Sequence, residues 1–452
     1  MTLATARWLM VVVPASLYFF SYFHRVAPAV VAQDLMRDFG IPAAALGTLV
    51  AIYPYVFAAM ALVAGSLADT LGPRWTLTLG GVTMGLGAAL FGLAPTFAVA
   101  FVGRLLVGLG ASVMLIAWLA LAAEWFRADE FGTFSGLTQT IGNAGALVAS
   151  SPLALVVETA GWRLTFVSIG LLTLLLAAVA AVIVRDTPQA LGLPPVSPGR
   201  GARRAEPLRE VLRGARDVVT NGRTWPPVLA AGGVYASAIA FQGLWGVPYL
   251  TQVYGLPRVS AATVIAMIGV GFGIGSPLIG RLSDRWVGRR RLPMMISVAV
   301  YALAWLVLAL PAEPMVPRAL LMPFFFLLGL GSSGLVLVWS CVREVNDPAR
   351  VGVAVGFCNM PIFLGFAVLQ WLTGVILDAH WTGGMLGGAR AYPVDAYRSA
   401  FLVCLGAALA AVGASALVTE TRCRNVWMGG PRNGPPYPPA LGSPRRSRGA
   451  PR

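Results

Sequence analysis

Twelve apolar stretches follow one another along this chain of 452 residues, each long enough to cross the hydrocarbon layer of a bilayer as a helix of about 20 residues. In the first half they run Trp8 to Ala32, Ala44 to Ala68, Trp75 to Leu93, Thr96 to Trp125, Thr133 to Val157 and Leu164 to Val184. In the second they run Pro227 to Val253, Ala261 to Leu282, Leu292 to Leu310, Arg318 to Val342, Val351 to Leu377 and Ala396 to Val418. No water reaches that depth to satisfy a bare backbone, so each stretch must close its own hydrogen bonds as a helix. The fold class expected is an all-α membrane protein with twelve transmembrane helices.

A short phrase recurs at matching places in the two halves. It reads GSLADTLGPRW from Gly65 to Trp75 and GRLSDRWVGRRR from Gly280 to Arg291, so Gly65 and Asp69 are displaced by 215 positions onto Gly280 and Asp284. Each copy follows the second apolar run of its half. A repeat of that length in so apolar a chain implies two six-helix bundles related by a pseudo-two-fold axis.

Composition closes off the soluble alternatives. Hydrophobic residues make up 57% of the chain and charged ones 11%, with mean hydropathy +0.76, too little polar surface to cover a water-facing protein of this size. The net charge of +15 arises from 33 arginines, because lysine is absent. Eight arginines lie between Arg185 and Arg223, five between Arg281 and Arg291, and seven after Thr421. With both termini cytoplasmic, 25 arginines fall on the inner side and 7 on the outer, leaving Arg104 inside the membrane. That bias obeys the positive-inside rule and explains the basic charge without a nucleic-acid partner. Cys341, Cys358, Cys404 and Cys423 match no metal-ligand or redox spacing, so neither a metal nor a disulfide is expected. No P-loop, zinc spacing or nucleophile elbow stands in a suitable context, which argues against an enzyme, a cofactor or an ATP-driven pump. The run after Arg7 lacks a cleavage site and is expected to be a first span. A lysine-free composition rich in Ala, Gly and Arg fits a GC-rich bacterial genome, and hence the inner membrane.

The expected organisation is an N-terminal bundle over residues 1–185, a basic cytoplasmic central loop over 186–226, a C-terminal bundle over 227–418 and a disordered cytoplasmic tail over 419–452. Within the central loop Leu208, Val211, Leu212, Ala215, Val218 and Val219 recur at helical spacing opposite Arg209, Arg213 and Arg216. A short amphipathic helix on the inner membrane face would bury that stripe and bring the arginines near anionic lipid.

Gly65, Leu67, Asp69, Gly72 and Arg74 fit the pattern G-x-L-x-D-x-x-G-x-R, and Gly280, Leu282, Asp284, Gly288 and Arg289 repeat it with one extra residue before the second glycine. Arg104, Gly108 and Gly110 fit R-x-x-x-G-x-G. Together with the twelve runs, these motifs resemble the major facilitator superfamily from Trp8 to Val418. The resemblance implies alternating access, with Gly65, Asp69, Arg74, Gly280, Asp284 and Arg289 switching the inner gate. Glycine lets two helices approach closely, and an aspartate at a helix end can face a neighbouring helix N-terminus and pair with arginine. Arg104 is expected as an intramembrane clamp that bonds backbone carbonyls or faces a polar cavity. A third stretch, SYFHRVAP from Ser21 to Pro28, resembles the organic-anion branch of that superfamily, with its sugar-acid and sugar-phosphate permeases. In that branch an arginine of the first helix contacts the substrate anion. Arg25 stands at that place, with His24 where carboxylate symporters often have an aspartate.

At 1.5 Å per residue, His24 and Arg104 each lie about 12 Å below the outer boundary, so His24, Arg25 and Arg104 are expected in one layer. No Asp or Glu occupies the middle of any run. Two arginines without a protein counter-ion are most easily stabilised by an anionic ligand, and Arg25 suits a carboxylate or phosphate through two-pronged hydrogen bonding. His24, which changes charge near neutrality, is the candidate for proton coupling. The remaining substrate contacts are expected from Tyr53 and Tyr55 of the second run, Gln139 and Asn143 of the fifth, Tyr235, Gln242 and Trp245 of the seventh, and Asn359 of the eleventh, with Gln370 a further polar group.

The function expected is secondary active transport by alternating access, as proton-coupled uptake of a small organic anion by a monomer in the bilayer. Export of drugs or metabolites is the second version. The fifth run, GLTQTIGNAGALVASSPLA, lacks the proline of the G-P-x-x-G antiporter motif between Gly142 and Gly145. A ligand sensor built on the same fold, without transport, is the alternative from another class.

Overall fold

The structure is a computed structural model and describes residues 3–61, 63–127, 130–194, 196, 208–311 and 316–427. Twelve helices are long and apolar enough to cross a membrane: Thr5–Val26, Ala43–Met60, Pro73–Leu93, Phe97–Trp125, Leu137–Ala160, Trp162–Ile183, Gly222–Val253, Arg258–Val287, Arg291–Ala309, Arg318–Val345, Val351–Ala379 and Val394–Ala416. They are numbered here as the first to twelfth spans, six to each half. The end carrying the arginine-rich phrases is called inner, following the sequence expectation, and the opposite end outer.

Several runs are not single regular helices. The first does not continue unbroken to Ala32: a helix Leu3–Val26 stops at Ala27, and another, Pro28–Phe39, carries the chain onward to Gly40. Pro28 has no N–H to extend the ladder and instead starts a new helix. The fourth span breaks at Val113, and the seventh contains a π-turn at Phe241–Trp245. Depths counted along an unbroken first helix therefore do not hold beyond Val26.

Glycine sets several close helix crossings. A Cβ at Gly110 would lie 2.2 Å from the Gly80 carbonyl oxygen of the third span, and one at Gly329 would lie 2.1 Å from the Ile268 oxygen of the eighth. Only glycine permits such approach, so the second glycine of the R-x-x-x-G-x-G motif is a packing residue.

The central loop forms its expected helix at Leu208–Thr220, but protein covers part of its apolar stripe. Ala215 is buried, Val218 packs with Val228, Val338 and Val342 of the second half, and Asp217 pairs with Arg350. The tail also departs from expectation in its first residues. Thr419 to Trp427 fold back onto the second half, where the Val426 N–H donates to the Glu344 carbonyl at 2.7 Å and Asn425 donates to the carbonyls of Arg343 and Asn346. The rest of the expected disordered tail, 428–452, lies outside the described residues.

The apolar core divides unequally between the two ends. Toward the outer end one continuous cluster crosses both halves, from Phe23, Val31 and Leu49 to Leu244, Tyr397 and Phe401. At the inner end the halves keep separate clusters, one around Leu17, Trp118 and Trp125 and the other around Val228, Val338 and Cys358. The bundles thus share an apolar core toward the outer end and keep separate apolar clusters at the inner end, where the second and eleventh spans still approach each other, a Cβ at Gly356 lying 3.6 Å from the Ala61 carbonyl oxygen.

Candidate functional site

Arg25 sits where the halves meet, 7% exposed, inside a ring of aromatic side chains. Its guanidinium carbon lies 4.2 Å from the Tyr22 ring centre, 5.4 Å from Phe57, 5.4 Å from Phe363 and 6.0 Å from Tyr53. Nη1 donates to the Tyr235 hydroxyl of the seventh span at 2.7 Å, while the buried Nε has no partner among the described residues. Aromatic faces stabilise a cation partially, but they supply no counter-charge. No ion pair joins Arg25 to a described carboxylate.

Arg104 lies in the adjacent wall of the first half. Its Nη1 donates to the His24 carbonyl oxygen at 3.0 Å, and its guanidinium carbon is 5.5 Å from Tyr53. One tyrosine ring therefore stands beside both guanidinium groups, and Tyr53 is fixed there by its own hydroxyl bond to the Ser21 carbonyl at 2.8 Å. Through this bond the fourth span is tied to the backbone of the first. The His24 ring turns elsewhere: it packs against Phe23 and Phe166 inside the first bundle, with both nitrogens buried and unpartnered among the described residues.

The other expected contacts separate into those gathered near Arg25 and those turned away. Tyr53 and Tyr235 belong to the cage. Trp245 is buried against the eleventh span, its indole donating to Thr373 Oγ1 at 2.9 Å. Gln242 is buried and faces Gly269 of the eighth span, and Asn143 faces Gly273 on the same span. Tyr55 is 38% exposed, two residues from Tyr53 and so on the opposite side of the helix, and Gln139 is also exposed. Asn359 bonds back to Val355 of its own helix at 3.1 Å. Sequence reading missed Tyr22, Phe57 and Phe363. For the first two the signal was helical spacing: Tyr22 stands three residues before Arg25, and Phe57 four after Tyr53.

Polar contacts between the halves concentrate toward the outer end. Asp34 pairs with Arg258 at 2.8 Å, Gln33 donates to Thr251 at 3.0 Å, and Ser151 bonds Thr263 at 2.8 Å. Asp378, at the end of the eleventh span, accepts from the Ala43 and Ala44 N–H groups at 3.0 and 2.7 Å, and from Tyr392 at 2.8 Å. It thereby caps the N-terminus of the second span with a carboxylate from the opposite half. This arrangement is closed at the outer end.

At the inner end the two copies of the repeated phrase have different partners. Asp69 is exposed and bonds no described residue, and it does not pair with Arg74. Arg74 is held within its own half, with side-chain bonds to the Ala181 carbonyl at 3.1 and 2.5 Å and its backbone N–H on Asp186 at 2.7 Å. In the second copy Arg290, not Arg289, is the working arginine. It pairs with Asp284, bonds Ser283 at 2.9 Å and meets Glu344 of the tenth span at 2.7 Å, whereas Arg289 is exposed. The extra residue before Gly288 shifts the inward position by one. Burial alone would lower the Arg290 guanidinium, but its bonds to Glu344 and Asp284 raise it above the ordinary value. Burial would raise Glu420, yet the backbone N–H groups of Arg290, Arg422 and Arg291 hold it below the ordinary carboxylate value. Gly65 and Gly280 have open space around a notional Cβ, so neither makes a close helix contact in this state.

The sequence pattern described as Major Facilitator Superfamily matches residues 15–271 and 228–426. The membrane sensor protein UhpC of Salmonella typhimurium (strain LT2) is 27% identical over 381 residues, spanning 80% of this chain and 82% of that protein. A protein of Chlamydia trachomatis serovar D named probable hexose phosphate transport protein is 23% identical over 387 residues, 81% of this chain and 84% of its own length. Among solved structures, a bacterial homolog of the human lysosomal transporter Spinster, in an inward-facing and unoccupied conformation, superposes with a TM-score of 0.72 at 16% identity, covering 92% of this chain and 97% of that one.

Proposed function

The chain belongs to the major facilitator superfamily of multi-pass membrane transporters, and on that premise we propose that it carries a small organic anion by alternating access. The observation that carries this reading is Arg25: a permanent positive charge, buried where the halves meet, surrounded by aromatic rings and a hydroxyl but, among the described residues, by no carboxylate. A carboxylate or phosphate would supply the missing charge and take paired hydrogen bonds from the guanidinium. The relative named probable hexose phosphate transport protein, and the 23% identical protein of Escherichia coli (strain K12) named probable L-galactonate transporter, favour a hydroxylated anion, either a phosphate ester or a sugar acid.

Flux into proteoliposomes tests this directly. Glucose 6-phosphate and gluconate are expected to compete for one site, and Arg25→Gln is expected to reduce their uptake at least about 100-fold by removing a charged hydrogen bond realised with substrate. Transport of cationic drugs, untouched by that substitution, would instead assign the chain to export. The uptake direction and proton coupling belong to the same proposal, with the inner membrane as location and both termini cytoplasmic. His24→Gln should leave exchange intact and abolish accumulation driven by a pH gradient; unchanged accumulation would remove His24 from coupling. The similarity to a membrane sensor supports a second reading, in which binding is reported across the membrane. Ligand binding without turnover in sealed vesicles would favour it.

A further inference from the structure

Gln370 is fully buried, and neither its amide nitrogen nor its amide oxygen has a partner among the described residues. In a protein interior an amide stranded in this way is unfavourable on both its donor and its acceptor side, so its place in the fold matters. The eleventh span turns one line of residues toward the other spans: Phe363 stacks on Phe57, Phe366 meets Tyr235, and Thr373 accepts from Trp245. Gln370 lies on that line at helical spacing. A Cβ at Gly243, in the seventh-span π-turn, would be 3.5 Å from the Arg25 carbonyl oxygen and 3.6 Å from Gln370 Nε2. The amide therefore stands over the backbone of Arg25, between the aromatic cage and the outer closure at Asp378. Phe363, which faces the Arg25 guanidinium, precedes it by seven residues, about 10 Å along the helix. A six-carbon chain with a hydrogen bond at its far end bridges such a span.

We propose that Gln370 reads the hydroxyl groups of the substrate, its amide donating to and accepting from the body of an organic anion whose acid group is held by Arg25. This rests on the anion-carrier reading and adds a determinant to it. Closure of the outer end around a hydroxylated anion satisfies the amide, whereas closure around an empty site or a bare alkyl acid leaves it stranded. Hydroxyl recognition and outer closure are coupled through one side chain.

Gln370→Met, of similar size and without the amide, separates this from a packing role. The full chain in proteoliposomes is assayed with gluconate against hexanoate, and with glucose 6-phosphate against methyl phosphate, pairs of related acids that differ in hydroxylation. The ratio of half-saturation concentrations is expected to move about 10-fold or more against the hydroxylated member. The empty variant is expected to melt at a higher temperature than the parent, because a stranded amide has been removed. Equal changes for both members of a pair, no change, or a lower melting temperature with selectivity intact would overturn the assignment. So would a parent protein that fails to distinguish the members in flux and in thermal shift. Arg25→Gln reports separately: if it spares transport of these acids while Gln370→Met still erases hydroxyl preference, Arg25 is not the acid-group contact and the hydroxyl role of Gln370 stands.

Discussion

The two copies of one short phrase occupy equivalent turns, yet one is bound into a network and the other is loose. In the second half, Arg290 draws Asp284, Ser283 and Glu344 together, and Thr421 adds a hydroxyl bond to Glu344 while Glu420 receives the Arg290 and Arg291 N–H groups. In the first half, Asp69 has no bonding partner among the described residues and Arg74 is turned to the end of the sixth span. The difference teaches that the repeat specifies a turn and its charges, while the surroundings decide which charges meet. The second copy braces its own bundle. The first leaves its aspartate exposed and without a described partner.

The largest test of that contrast is Glu344→Ala. It leaves Arg290 buried without its main counter-charge, and a loss on the order of 3–5 kcal/mol is expected, read as a steep fall in melting temperature in detergent. Asp378→Asn comes next. It weakens a charged cap between halves worth about 1–2 kcal/mol, and should raise the outward-open population, read by labelling of a cysteine placed in the outer vestibule. A third test uses pH. Glu420 has a folded value below its unfolded one, so its stabilising contribution is present above the unfolded value and is lost as pH falls through the folded value. Glu420→Gln should flatten the acid limb of the melting-temperature profile, and an unchanged limb would place the acid sensitivity elsewhere. The smallest effects belong to Asp69→Asn and Arg289→Ala, each expected to alter stability by less than about 0.5 kcal/mol. Asp69→Asn should nevertheless slow turnover if the first copy acts when the inner end closes; equal turnover would reduce it to a loop residue.

Legibility differed with the range of the signal. Apolar runs and the repeated phrase are local patterns, and they carry the twelve spans, the two halves and the placing of Arg25 in the first span. The aromatic cage was only partly readable, because Phe363 reaches Arg25 from the opposite half and nothing near it in sequence marks the pairing. Counted from Asp284 the motif arginine is Arg289, but counted from Gly288, past the insertion, it is Arg290, and that is the one turned inward. Tyr55, polar and two residues from a cage member, fails for the simplest reason, since a helix rotates it to the other face.

By itself the sequence determined that this is a membrane protein of twelve helices in two homologous halves, because in hydrocarbon a run of apolar residues has no choice but to satisfy its backbone internally. It also determined that its buried charges near the site are positive. Tertiary structure alone decided that the halves are joined at the outer end, that Asp378 of one half caps a helix of the other, and that Gln370 is stranded above Arg25. Those facts depend on side chains far apart in the chain meeting at a particular rotation of one bundle against the other. A single sequence must support both rotations, and so cannot state which one is occupied.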